Sequence, residues 1–173
     1  MMMNKNLEDQ FLNDLNNHIG IVHRVCNVYF KDNDEKSDLY QEIIYQLWKS
    51  YPRFNRESKF STWMYKVAMN TAINQIRKSS RSIKQEPLPD QLPEIPATNE
   101  EAKSEEKMKM LYAVINQLSP IDKAIILLYL DDNSYDQIAD VTGFTKTNVS
   151  VRLVRIKKKL ERKLKPVFTI NQL

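Results

Sequence analysis

Glycine is almost missing from this chain, with two residues in 173. A phosphate-cradling loop needs several, because only glycine lets the backbone approach the anion without steric cost. Nucleotide-binding enzymes of that kind are therefore excluded. Cysteine is scarcer still. The lone thiol, Cys26, can form no internal disulfide, fits a reducing compartment and falls in an apolar helical pattern, so it reads as a packing residue. His18 and His23 are five residues apart and point to different faces of a helix, with no acidic or cysteine partner at ligand spacing, so no metal site is expected. Nor is there a carboxylate pair or nucleophile motif to nominate, so no cofactor is expected and the chain does not read as an enzyme. No apolar run approaches the roughly 20 residues of a membrane span. The opening MMMNKNLEDQ lacks an apolar core followed by a cleavage site. A cytoplasmic protein without membrane insertion is the expectation. Alternating β-branched runs are few as well, which leaves an all-α chain.

What the chain does have is concentrated between Ser134 and Leu160. Ser134 is a good N-cap, and Gln137 stands three residues on, where a capping box wants Glu or Gln. Ile138, Ala139 and Val141 give a short helix its apolar side. Gly143 ends that helix, since glycine enters the left-handed conformation freely. Thr145 can cap a second helix, in which Val149, Leu153, Ile156 and Leu160 recur as one buried stripe. From Lys146 to Lys165 there are nine Lys or Arg against one acid, Glu161. Such a run can neutralise several phosphates and release their counterions. The pattern is a helix-turn-helix whose second helix suits the major groove.

Elsewhere the chain divides into amphipathic helices. Leu7, Phe11, Leu15, Ile19, Val22 and Cys26 mark a first helix, with Gly20 as a place to bend. Asn33 or Asp34 can cap a second, which ends at Tyr51-Pro52. A polar loop bracketed by Phe54 and Phe60 leads to a third, with Ser61 as its cap. Trp63, Lys66, Asn70 and Asn74 fall away from the apolar stripe of that helix, and can stack on and hydrogen-bond unpaired bases. Residues 81–106 carry Pro87, Pro89, Pro93 and Pro96 and seven acids, and read as a flexible linker. Ser119-Pro120 restarts a helix. Pro166 should stop the last one. The expected organisation is two small helical domains, 7–80 and 107–165. The second is a four-helix, winged-helix-like unit containing the helix-turn-helix.

Three runs occur in order: DLYQEIIYQLW at 38–48, FNRESKFSTWMYKVAMNTAINQIRK at 54–78, and the stretch from Leu118 to Leu160. Together they resemble the bacterial sigma-70 family in its two-domain extracytoplasmic-function (ECF) form. The resemblance implies a transcription initiation factor that binds core RNA polymerase through the clamp helices of the largest subunit and the flap of the second-largest. It assigns polymerase binding to Asp38, Leu39, Gln41, Glu42 and Trp48. Asn55, Arg56, Ser58, Lys59, Trp63, Lys66, Asn70 and Asn74 would hold the melted −10 element. Ser134, Thr145, Lys146, Thr147, Asn148, Ser150, Val151, Arg152 and Arg155 would read the duplex −35 element or its phosphates. An anti-sigma factor is a further implied partner. The family often carries a cation where Ser150 stands and Ser where Val151 stands, so the promoter letters do not transfer.

Two other readings stay open from the residues alone. One is a sigma-like decoy that titrates an anti-sigma factor. The other is a plain helix-turn-helix regulator. On charge and face alone, Arg152 and Arg155 are equivalent, and removing either should weaken promoter binding and its salt dependence.

Overall fold

The computed structural model describes residues 5–79 and 100–169. Seven helices follow one another, with no strand among the described residues. They are α1 (Lys5–Tyr29), α2 (Asn33–Ser50), α3 (Phe60–Ser79), α4 (Glu100–Ile115), α5 (Pro120–Leu130), α6 (Tyr135–Thr142) and α7 (Lys146–Thr169). The proline-rich part of the expected linker, through residue 99, lies outside the described residues. Its last part does not stay extended, because α4 begins at Glu100. Glu101 stands in the first turn of α4, where the helix dipole favours negative charge.

Helix boundaries depart from expectation in three places, each for a local reason. Asp32 caps α2, its carboxylate accepting from the Asp34 and Glu35 N–H groups at 3.0 and 3.2 Å. Three adjacent side chains could have done so, and the cap is the first of them. Ser61 lies inside α3, which starts one residue earlier at Phe60. Helix α1 is continuous across Gly20, since a single glycine costs a helix only about 1 kcal/mol. Helix α7 runs through Pro166 to Thr169. Proline there removes one N–H close to the helix end, where little ladder remains to be broken. Ser119 with Pro120 behaves as expected, Ser119 Oγ accepting from the Asp122 N–H at 3.3 Å.

Helices α1, α2 and α3 pack around Phe11, Leu15, Val22, Val25, Leu39, Ile43, Leu47, Met64, Ala68 and Ala72, all buried. Helices α4 to α7 close on Val114, Ile125, Leu128, Ile138, Val149, Leu153 and Ile156. These two sets form one continuous apolar cluster, so the halves are docked on each other. Polar contacts stitch the junction. Asp131, at the end of α5, takes Arg24 Nη2 at 2.9 Å on one oxygen and the Tyr65 hydroxyl at 2.8 Å on the other. Burial, then this hydrogen bond, pushes the Tyr65 phenol up. Tyr29 Oη donates to the Pro120 carbonyl at 2.7 Å.

Lys123 is the odd member of this junction. It is buried on α5, with Nζ 5.7 Å from the centre of the Tyr29 ring. Burial first, and repulsion from Lys31 second, pull its amine from 10.5 down to about 8. The unfolded chain therefore holds a proton that the folded chain has released between those two values, and stability should rise across that window. Lys123→Met is expected to stabilise the fold at pH 7 by about 1–3 kcal/mol and to remove the rise. Urea melts from pH 7 to 10.5 test this; a variant that keeps the rise would place its origin in another group.

Candidate nucleic-acid and protein interfaces

The 38–48 set does not share one face. Leu39 is fully buried, so it packs the core and cannot touch a partner. This corrects its expected contact role: DLxQE places one residue in four on the inner side of α2. Asp38 and Glu42 turn toward α3. There they line a groove of about 600 Å³ with Gln46, Asn70, Thr71, Asn74 and Lys78. Gln41 and Trp48 turn the other way, toward α1. They line a second, mainly apolar groove of about 400 Å³ with Leu12, Tyr40, Ile44 and Tyr45. Leu12 and Tyr45 are 45% and 55% exposed, unusual for such side chains, and neither was nominated from sequence. The signal was present in the helical period, which puts Ile44, Tyr45 and Trp48 on neighbouring positions around α2.

The loop after α2 presents Asn55, Arg56, Ser58 and Lys59 to solvent. Asn55 Oδ1 accepts the Glu57 N–H at 3.3 Å, and Arg56 sits at φ +60°. A non-glycine residue held there stores on the order of 1 kcal/mol. Trp63 is half-buried, its ring centre 4.9 Å from Phe54, 5.4 Å from Phe60 and 6.3 Å from Tyr51. It is one wall of an aromatic cluster rather than a free stacking platform. Lys66, Asn70 and Asn74, four residues apart, are exposed along one line of α3.

The helix-turn-helix forms as its local chemistry requires. Ser134 Oγ accepts the Gln137 N–H at 3.2 Å, and Gln137 Oε1 accepts the Ser134 N–H at 2.8 Å. Gly143 adopts φ +77° and donates to the Ala139 carbonyl at 2.8 Å. Thr145 Oγ1 accepts the Asn148 N–H at 3.2 Å. Ser134 and Thr145 thus spend a lone pair on capping, and each keeps a hydroxyl hydrogen for an outside acceptor.

The cations of α7 separate into two groups. Lys146 Nζ pairs with Asp136 at 2.8 Å. Arg152 pairs with Asp122 of α5 at 2.8 Å, and its guanidinium lies 4.7 Å from the Phe144 ring centre. Lys157 sits 3.9 Å from the Tyr129 ring centre, and Lys163 donates to Gln117. Arg155, Lys158, Lys159 and Arg162 have no side-chain partner among the described residues. Their spacing of three, four and seven puts them on one face. Arg152 differs from Arg155 in this respect: its charge is held by Asp122 and its guanidinium lies by Phe144, so it also joins α7 to α5. Thr147, Asn148 and Val151 are exposed, and Ser150 is half-buried at the flank.

Comparison with known proteins agrees with this architecture. Family models match at residues 15–82 (Sigma-70 region 2) and at residues 108–160 (Sigma-70, region 4). The chain is 27% identical over 142 residues to the ECF RNA polymerase sigma-E factor of Haemophilus influenzae, covering 76% of this chain and 75% of that protein. Against the sigma factor SigV of Bacillus subtilis it is 26% identical, covering 82% of each. Among solved structures, it superposes with a TM-score of 0.68 on the sigma factor RpoE in complex with the anti-sigma factor NepR from Bartonella quintana, at 18% identity, covering 94% of this chain and 98% of that one. CnrH in complex with the cytosolic domain of CnrY gives a TM-score of 0.65 at 16% identity, covering 92% and 90%. With both regions matched in order across most of its length, the chain belongs to the sigma-70 family of RNA polymerase sigma factors, in its extracytoplasmic-function group.

Proposed function

We propose that this chain binds core RNA polymerase and directs it to promoters through two separate DNA contacts. One observation carries the reading. A helix-turn-helix keeps four unpartnered cations on one face of α7, while a separate polar groove on the other half exposes Asn70 and Asn74. The first suits duplex phosphates and the second suits unpaired bases. Extruding a base costs a few kcal/mol, which amide hydrogen bonds and the Trp63 edge can offset.

On this reading Thr147, Asn148 and Val151 face base edges of the −35 element, flanked by Arg155, Lys158 and Arg162 on phosphates. Asn55, Arg56, Ser58, Lys59, Lys66, Asn70 and Asn74 hold the melted −10 strand. Polymerase docks in the apolar groove of α1 and α2, on Leu12, Gln41, Ile44, Tyr45 and Trp48. An exposed aromatic lining an apolar groove, as Tyr45 does, is the usual kind of anchor for such an interface. Clamp helices of the largest subunit are the partner there, and the flap of the second-largest meets the other half. One of the structural relatives is in complex with an anti-sigma factor, which supports an anti-sigma partner for this chain as well.

Run-off transcription on fragmented host DNA with host core polymerase, followed by mapping of RNA 5′ ends, tests the whole reading. New start sites sharing two spaced upstream elements are expected. Absence of new starts together with absence of polymerase binding would sink it and favour a decoy or a plain DNA binder.

Tyr45→Ala is expected to weaken polymerase binding about tenfold with an unchanged melting curve; full affinity would move the docking surface elsewhere. Four free cations imply that log K falls with log salt at a slope on the order of −3 to −4. Arg155→Ala should reduce that slope by about 0.9. Arg152→Ala should leave the slope alone and instead cost about 1 kcal/mol of stability, through the lost ring contact and ion pair. Equal effects of the two on the slope would overturn the division.

A further inference from the structure

The outward side of α7 contains a feature that charge does not explain. Val151 and Val154 are 45% and 51% exposed, opposite the buried stripe of Val149, Leu153, Ile156 and Leu160. They sit three residues apart, among Thr147, Arg155 and Lys158, all of them also exposed. Val151 stands at the rim of a groove that also holds Phe144, Asn148 and Arg155, and about half of each valine is left open to solvent. The pair does not extend into an apolar patch of the kind that a protein partner would need.

We infer that Val151 and Val154 read the C5-methyl groups of thymines in the major groove of the upstream promoter element. This rests on the promoter-binding role proposed above for the same helix. Valine has no hydrogen-bonding group, and the thymine methyl is the one apolar group that base edges present in the major groove. Its branched Cβ leaves χ1 nearly fixed, so little side-chain freedom is lost on contact. Side chains at this spacing lie about 5–6 Å apart, and base pairs are about 3.4 Å apart. The pair therefore spans one or two base steps. Arg155 and Lys158, which follow the pair along the same side of the helix, supply the phosphate contacts that hold the helix in that register. Both residues also explain the loss of the family's usual polar side chain at position 151: an apolar contact replaces a hydrogen-bonded one.

The test uses the full chain assembled with core RNA polymerase. Duplexes are selected from a randomised library, and each thymine of the enriched upstream element is replaced in turn by deoxyuridine, which lacks only the methyl. At one or two positions the replacement should weaken binding about threefold to fivefold. The same replacement should have no effect on the Val151→Ala or Val154→Ala variant contacting that position, and the salt slope should stay unchanged. Enriched elements without thymine in the contacted steps, or equal binding of thymine and deoxyuridine, would overturn the inference. So would valine variants that lose core polymerase rather than DNA, which would make the pair a protein contact. If no sequence is enriched at all, the promoter-binding role fails, and this inference with it.

Discussion

A helix can bury only one side, and α7 spends its buried side on Val149, Leu153, Ile156 and Leu160. That choice fixes the direction of every other residue on the helix. Cations near the edge of the buried side fall within reach of α5, α6 and the turn after α4 and find partners there: Arg152 on Asp122, Lys157 on Tyr129, Lys146 on Asp136, Lys163 on Gln117. Arg155, Lys158, Lys159 and Arg162, farther round, meet no side-chain partner among the described residues. The basic helix thus sorts its own charge into a part that seats it and a part that faces outward. Removing a methylene from Leu153 would disturb both parts, because the stripe sets the rotation of the helix.

The same economy holds at the junction of the two halves. A single carboxylate, Asp131, accepts from a guanidinium of α1 and a phenol of α3 while sitting at the end of α5. Around it the apolar cluster runs without a break. Ion pairs this exposed are worth little by themselves, and the apolar contact must supply most of the docking energy. Asp131 adds direction, since its two bonds are satisfied in only one relative placement of the helices.

How much of this was legible in the sequence follows from the distance between interacting residues. The capping box of Ser134 and Gln137, the turn at Gly143 and the Ser119-Pro120 start all depend on neighbours within four positions, and all appear where the sequence puts them. The buried stripe of α7 was equally readable, being a matter of period. The cap at Asp32 was missed by one residue, because adjacent Asp and Asn side chains offer the backbone equivalent acceptors. The ion pair of Arg152 is not legible from period, because its partner, Asp122, is thirty positions away. Helical period could not divide Gln41 and Trp48 from Asp38 and Glu42 either, since it does not say which neighbouring helix lies on which side of α2.

That division of α2 has a pharmacological consequence. One helix forms a wall of two grooves of opposite character, one lined by amides and carboxylates and the other by aromatic and aliphatic side chains. On the proposed assignment, a small apolar molecule lodged beside Tyr45 would compete with polymerase alone. A polar one lodged beside Asn70 would compete with the melted strand alone. Inhibitors of the two kinds should then be distinguishable by which partner, added in excess, relieves them.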